Sequence, residues 1–165
     1  VYDHRYVFDE IGYNLKPLDL QAAMGLQQLE KLPDFDAARR KNFARLYEIF
    51  KPYEHYLHLP EANEKADPCW FAFLMTVKEG APFERGDIVS HFENNKIQTR
   101  SYFAGNILAH PGYNHLAEPY GNLQDMFPVA KIVTFNSFFL GTFIGLTEEK
   151  LDYIQTVADS FFGEL

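Results

Sequence analysis

The run of strand-forming residues WFAFLMTV, at positions 70–77, constrains the fold of this chain most. Its aromatic, aliphatic and β-branched side chains predict a strand that is buried on one face or on both. A polar, turn-rich connector at 53–68 precedes it, and two further strand candidates follow at 97–103 and 133–140. A long loop rich in His, Pro, Gly, Tyr and Asn separates those two candidates. The chain therefore contains a sheet, and the segments around it decide the fold class.

Two helical patterns precede the sheet. The first is predicted to begin at Asp19, a favourable N-cap residue, and to end at Pro33, because proline interrupts a helix interior. Asp34 or Asp36 then opens a second helix, which Pro52 ends.

Two more helices follow the first strand. Residues 84–94 place apolar side chains at helical spacing, and Thr147 caps a last helix whose first turn carries Glu148 and Glu149. The order of elements predicts an α+β domain, with a small, mainly antiparallel sheet packed with helices. The core is expected from positions that repeat at strand or helix spacing: Leu74, Val77, Ile88, Phe92, Val133, Phe135, Leu151, Ile154 and Phe161.

Composition excludes several classes of partner and site. The net charge of −8 over 165 residues argues against nucleic acid or an anionic membrane as partner. No apolar run reaches the 18 residues that a membrane-spanning helix needs. A single cysteine, Cys69, cannot form a bridge within the chain, and the six histidines lack the spacing of a metal site. We therefore expect no metal in this chain and a reducing cytoplasm as its compartment.

Two segments indicate a binding site. Asn14 lies just before a predicted helix N-terminus, where amide and backbone donors can meet an anion. Arg100, Phe103 and Asn106, with His110 further on, lie where a predicted strand opens into a loop. A cation, an aromatic ring and an amide at such a place are a common way to hold a flat polar ligand. The residues alone leave open that Asn14 only forms a turn and that Arg100 only bridges strand and loop.

The segment GYNLKPLDLQAAMGLQQLEKL, residues 12–32, resembles the hallmark of the DegT-type sugar aminotransferase family. That family has the aspartate aminotransferase fold and acts on nucleotide-linked keto-sugars. Four segments, YDHRYVFDEIGYN, DPCWFAF, TRSYFAGN and GLTEEKLDYI, are similar to its branch of nucleotide-linked 4-keto-6-deoxyhexose 3-dehydratases. Those enzymes make 3,6-dideoxysugars for lipopolysaccharide. The resemblance implies the C-terminal small domain of the PLP-dependent transferase (fold type I) architecture.

The same resemblance implies how the chain is divided. Residues 1–18 would be the arm that leads out of a large domain, 19–52 the connecting helices, and 53–165 the small α+β domain. The Schiff-base Lys, which is His in the dehydratases, and the acidic partner of the pyridine nitrogen would lie upstream, as would any cysteine-ligated iron–sulfur cluster. No catalytic residue is therefore expected in this chain, and the chain alone should be inactive.

The resemblance also assigns binding roles. Asn14 would contact the phosphate of pyridoxamine phosphate or pyridoxal phosphate across a homodimer, and Arg100, Phe103, Asn106 and His110 would contact the nucleotide-sugar substrate. A pyridoxal phosphate aminotransferase acting on a similar keto-sugar is the alternative within the family, with Lys in place of the upstream His. A noncatalytic dimerisation or regulatory module is the alternative from another class. The acidic balance and the lack of a helix-turn-helix count against it.

Overall fold

The computed structural model describes residues 12–13 and 15–165. The chain divides into two compact units, Val1–Pro33 and Asp34–Leu165, and the second contains the whole sheet and the core. No helix among the described residues is long and apolar enough to cross a membrane.

The sheet has four antiparallel strands in the order β1-β2-β4-β3. They are β1 (Leu57–His58), β2 (Ala72–Val77), β3 (Arg100–Ser101) and β4 (Ser137–Gly141). The small antiparallel sheet expected from the sequence is confirmed.

Six α-helices accompany the sheet within the described residues, and the α+β class is confirmed. They are α1 (Asp19–Phe50), α2 (Arg85–Asn94), α3 (Asn114–Ala117), α4 (Leu123–Met126), α5 (Pro128–Asn136) and α6 (Glu148–Gly163). Thr147 caps α6 as predicted, because its side chain accepts a hydrogen bond from the backbone N–H of Lys150. Short 3₁₀ turns cover 51–53, 107–109, 111–113 and 118–120.

The predicted break at Pro33 is wrong, because α1 continues through it. Proline removes one backbone donor, but contacts on its C-terminal side hold the helix. Arg40 pairs with Asp36 one turn earlier at 2.8 Å, and Leu46 and Phe50 are fully buried in the core. These contacts stabilise the part of α1 that follows the proline.

The core lies between one face of the sheet and the helices α1, α2 and α6. Burial alternates along β2, with Phe73, Met75 and Val77 on the buried face. The predicted core residues Val77, Ile88, Phe92, Leu151 and Ile154 are confirmed as buried. Leu74, Val133 and Phe161 are only partly buried.

Two predicted strands are shorter than expected. Residues 133–136 belong to α5, so Phe135 is 52% exposed rather than in the core, and the strand begins at Ser137. The strand expected at 97–103 is reduced to Arg100–Ser101. The backbone N–H of Thr99 donates to Glu93 Oε1 at 3.2 Å, so this group is bonded to a side chain instead of a neighbouring strand.

Candidate functional site

Three phenylalanine rings cluster on the sheet face opposite the core. The centroid of Phe71 lies 5.9 Å from that of Phe139 and 6.5 Å from that of Phe103, and Phe103 lies 6.0 Å from Phe139. Phe139 is almost buried, whereas Phe71 is 60% and Phe103 72% exposed. We call these three residues the aromatic face. Its two outer rings are available to a ligand.

Two cations flank the aromatic face. Arg100 is the register partner of Phe139 in the β3–β4 ladder, and directly paired residues project to the same side of a sheet. The guanidinium of Arg39, in α1, lies 5.9 Å from the centroid of the Phe71 ring. Aromatic rings beside two cations are suited to a flat ligand that carries negative charge.

The backbone at Phe103 adopts a left-handed conformation, with φ of 49°. Such a conformation is unusual for a bulky residue and persists only where the surrounding structure imposes it. The backbone N–H of Phe103 donates to the carbonyl of Ser101 at 2.7 Å, which closes a tight turn at the end of β3. Gly105 completes the turn, because a Cβ there would lie 2.4 Å from Thr134 Oγ1. The turn holds the Phe103 ring out of the core.

Asn106 and His110 bond to their own loop in this structure. The Asn106 side chain accepts a hydrogen bond from the backbone N–H of Leu108 at 3.2 Å, which caps the 3₁₀ turn at 107–109. His110 Nε2 lies 2.7 Å from the carbonyl oxygen of Ala104, to which it donates in the tautomer protonated at Nε2. Both side chains therefore shape the loop that carries Phe103. Asn14 lies outside the described residues.

Buried polar residues that the sequence reasoning missed fix the strand ends beside the aromatic face. Thr142 Oγ1 donates to the carbonyl of Trp70 at 2.6 Å, and Asn42 Nδ2 donates to the carbonyl of Phe143 at 2.8 Å. The Trp70 ring also stacks on Phe43, with centroids 5.1 Å apart. These contacts join α1, the start of β2 and the end of β4. An Asn within an otherwise apolar helical stripe was the available sequence signal for Asn42.

The electrostatics near the site follow from local pairs. Arg40 bonds to Asp36 and to Asp67, and it holds the pKa of the Asp36 carboxyl below its usual range. The hydrogen bond with Asp36 raises the pKa of the Cys69 thiol. Among the described residues, no group of three or more His, Cys, Asp or Glu side chains could hold a metal ion.

The model of the DegT/DnrJ/EryC1/StrS aminotransferase family matches residues 1–158. The chain belongs to this family. It is 39% identical over 162 residues to the lipopolysaccharide biosynthesis protein RfbH of Salmonella typhimurium, covering 98% of this chain and 36% of that protein. It is 40% identical over 159 residues to a dTDP-4-dehydro-2,6-dideoxy-D-glucose 3-dehydratase of Saccharopolyspora spinosa, covering 96% of this chain and 34% of that protein.

Solved structures of this family share the fold. The Escherichia coli GDP-4-keto-6-deoxy-D-mannose-3-dehydratase with bound hydrated PLP superposes with a TM-score of 0.76 and 27% identity. The match covers 94% of this chain and 39% of that one. Proteins named GDP-perosamine synthase are 25–28% identical to this chain. The fold predicted from the resemblance is confirmed, and the chain spans roughly a third of the length of the two curated relatives described above.

Proposed function

We propose that this chain is the C-terminal part of a pyridoxamine phosphate-dependent 3-dehydratase acting on a nucleotide-linked 4-keto-6-deoxyhexose, in the synthesis of 3,6-dideoxysugars for lipopolysaccharide. One observation carries the proposal: the two relatives at 39–40% identity are a 3-dehydratase and a lipopolysaccharide biosynthesis protein. The proposal includes a lead-out arm at 1–18, connecting residues at 19–52 and a small domain at 53–165. It also includes a homodimer in the cytoplasm.

The aromatic face is the substrate side of the proposed site. Arg100 binds a sugar hydroxyl or a nucleotide phosphate, and Phe103 packs beside the sugar or the cofactor. Asn106 and His110 hold the loop in the conformation that presents Phe103, since their side chains bond to Leu108 and Ala104. Support comes from the exposed Phe103 ring and from its left-handed backbone.

The cofactor phosphate is assigned to Asn14. The neighbouring residues suit a phosphate, because Tyr13 offers an exposed phenol and Lys16 an exposed ammonium group. When bound, pyridoxamine phosphate supplies an amine that condenses with the C4 ketone and a ring that accepts electrons as the C3 hydroxyl leaves. The neutral amide of Asn14 donates to the phosphate without adding a buried charge.

The assay for the reaction uses the full-length protein with pyridoxamine phosphate and a nucleotide-linked 4-keto-6-deoxyhexose. Mass spectrometry should show loss of the C3 hydroxyl from the sugar, and the 165-residue chain alone should give no turnover. Amino transfer from glutamate to C4 without dehydration would replace the proposal with the aminotransferase alternative. Turnover by the chain alone would contradict the placement of the cofactor-bearing residue outside it.

The cofactor assignment has its own test in the full-length protein. Asn14→Ala should weaken pyridoxamine phosphate binding about tenfold, because one charge-assisted hydrogen bond is lost. Asn63→Ala is the matched control, since the Asn63 side chain accepts a local bond from Lys65 in an exposed turn. Equal cofactor affinity in the two variants would refute the role of Asn14.

A further inference from the structure

The side chain of Thr134, in α5, joins that helix to the turn that follows β3. The backbone N–H of Asn106 donates to Thr134 Oγ1 at 2.9 Å. The same hydroxyl donates its proton to the carbonyl of Ala130, one helical turn earlier, at 2.6 Å. Because that proton is committed to Ala130, a lone pair of Oγ1 remains to accept from Asn106. The hydroxyl is therefore held in one orientation, and the turn is bonded to it.

Gly105 packs directly against the same side chain. It has a φ of 62°, and a Cβ placed there would lie 2.9 Å from both Cβ and Cγ2 of Thr134. Separations that short are a steric clash, so glycine is required against Thr134. Thr134 thus meets two consecutive residues of the turn, one through close packing and one through a hydrogen bond.

The helix that carries Thr134 is itself fixed to the sheet. α5 ends at Asn136, and β4 begins at the next residue. Asn136 Nδ2 donates to the carbonyl of Val77, in β2, at 3.0 Å. The bond between His110 and the carbonyl of Ala104, by contrast, joins two residues of the same loop. The contacts of Thr134 therefore place the turn relative to the sheet.

The same turn presents Phe103 to the aromatic face. The Phe103 ring is 72% exposed, and its backbone is left-handed with φ of 49°. A ring that is mostly exposed gains little burial with which to offset a conformation that is unfavourable for a bulky residue. The conformation is therefore imposed by contacts elsewhere in the turn, and those of Gly105 and Asn106 with Thr134 are such contacts.

We propose that Thr134 is a positioning residue of the candidate site. Through Gly105 and Asn106 it holds the turn that presents Phe103 beside Arg100, and it acts without touching the ligand. That this ligand is a nucleotide-linked sugar rests on the proposed function, whereas the contacts of Thr134 do not. A threonine hydroxyl inside a helix commonly bonds to the carbonyl four residues earlier, and the turn seated on Thr134 is what distinguishes it.

Three variants separate this role from a general loss of stability. Thr134→Val keeps the β-branched shape and removes the hydroxyl, so the partly buried N–H of Asn106 loses its acceptor. Thr134→Ser keeps the hydroxyl and is the conservative rescue. Thr156→Val is the matched control, because the Thr156 hydroxyl donates to the carbonyl of Asp152 at 3.0 Å on an exposed part of α6. The control loses the same kind of bond within a helix, away from the turn.

Amide hydrogen exchange on this chain tests the contact without any ligand. The Asn106 amide should exchange about tenfold faster in Thr134→Val than in the unaltered chain, because it loses its hydrogen bond. Its rate should stay close to that of the unaltered chain in Thr134→Ser and in Thr156→Val. An unchanged rate in Thr134→Val, or an equal acceleration in Thr156→Val, would overturn the proposal.

A second test without ligand reports on the backbone at position 103. Phe103→Gly should unfold at a higher urea concentration than Phe103→Ala, because glycine carries no penalty for a left-handed backbone. When each is combined with Thr134→Val, the difference between the two midpoints should fall by roughly half or more, since the two positions are coupled. An unchanged difference would mean that other contacts impose the conformation and would refute the role of Thr134.

Binding measurements on the full-length protein test the role in the site. Thr134→Val should raise the Kd of the nucleotide-sugar substrate several-fold and leave the affinity for pyridoxamine phosphate unchanged, and Thr134→Ser should restore the substrate affinity. In a Phe103→Ala background, Thr134→Val should have little further effect, because Thr134 acts through Phe103.

The outcomes of these measurements separate the two proposals. An unchanged substrate Kd in Thr134→Val, or losses that add to those of Phe103→Ala, would exclude a positioning role while leaving the proposed function intact. Coupled losses of substrate affinity beside a failed dehydration assay would contradict the proposed function alone.

Discussion

Replacing Phe103 by glycine should give a more stable protein than replacing it by alanine. At the φ of 49° found there, a Cβ costs roughly 1–2 kcal/mol, and glycine avoids this cost. Glycine in turn loses about 0.4–1 kcal/mol through the greater entropy of the unfolded chain. The difference leaves Phe103→Gly more stable than Phe103→Ala by about 0.5–1 kcal/mol.

The comparison isolates the backbone because both variants lose the same ring. The ring centroid of Phe103 lies 6.0 Å from that of Phe139 and 5.4 Å from that of Tyr102. Each such aromatic pair contributes about 0.5–1.5 kcal/mol to stability. These losses apply equally to the two variants and cancel in their difference. The remaining difference in the free energy of unfolding between the two variants therefore measures the cost of the left-handed conformation.

Urea unfolding of this chain measures the difference. Phe71 supplies the matched control, since it is a neighbouring exposed ring with no positive φ, and there glycine should be less stable than alanine by about 0.5–1 kcal/mol. The order of the two variants should thus reverse between positions 103 and 71. Alanine more stable than glycine at both positions would refute the strain argument.

Three further changes follow from named contacts. Asn42→Ala should lower the free energy of unfolding by about 1 kcal/mol in urea titrations, because the carbonyl of Phe143 loses its donor. Burial and the hydrogen bond to Asp159 raise the pKa of Tyr53 to about 12. The contribution of its phenol to the free energy of unfolding is therefore complete below pH 10 and is lost as pH rises through 12. Tyr53→Phe should flatten that loss in unfolding curves measured at alkaline pH. Arg100→Lys in the full-length enzyme should weaken substrate binding about tenfold and cofactor binding little, because the planar guanidinium fork is lost. Equal losses of both affinities in binding assays would indicate folding damage.

The local sequence pattern was sufficient to predict those helices in which the apolar spacing and the capping residues indicate the same boundary. The helices α2 and α6 begin within about one residue of the expected positions, because Thr147 and the residues near 84 provide capping groups. The strand β2 was found from its composition. The expected break at Pro33 was wrong because a local rule cannot include the burial of Leu46 and Phe50, which stabilises the helix beyond the proline.

The strand expected at 133–140 shows a second limit of local pattern. Apolar residues at 133 and 135 alternate like a strand, but Pro128 begins a helix that runs to Asn136. Proline at the first turn of a helix is favourable, so the helix competes successfully with the strand pattern. The change from helix to strand at Ser137 then places Phe139 opposite Arg100.

The candidate site required both sequence and structure. Arg100 and Phe103 were predicted because they lie close together in one segment, and the structure places both beside Phe139. Phe71 and Arg39 were not predicted, since antiparallel pairing and the packing of α1 bring them to the same face from distant parts of the chain. Such residues share no local spacing that a sequence pattern could reveal.

Arg100 lies between the aromatic face and a cavity of about 450 Å³ beside α6. It belongs to the two-residue strand β3, so it lies at an edge where the aromatic face ends and the cavity beside α6 begins. A longer β3 would pair with Leu140 and Gly141 and remove the space that the cavity occupies. The bond from the Thr99 N–H to a side chain, which shortens β3, is therefore also what leaves Arg100 beside an open cavity.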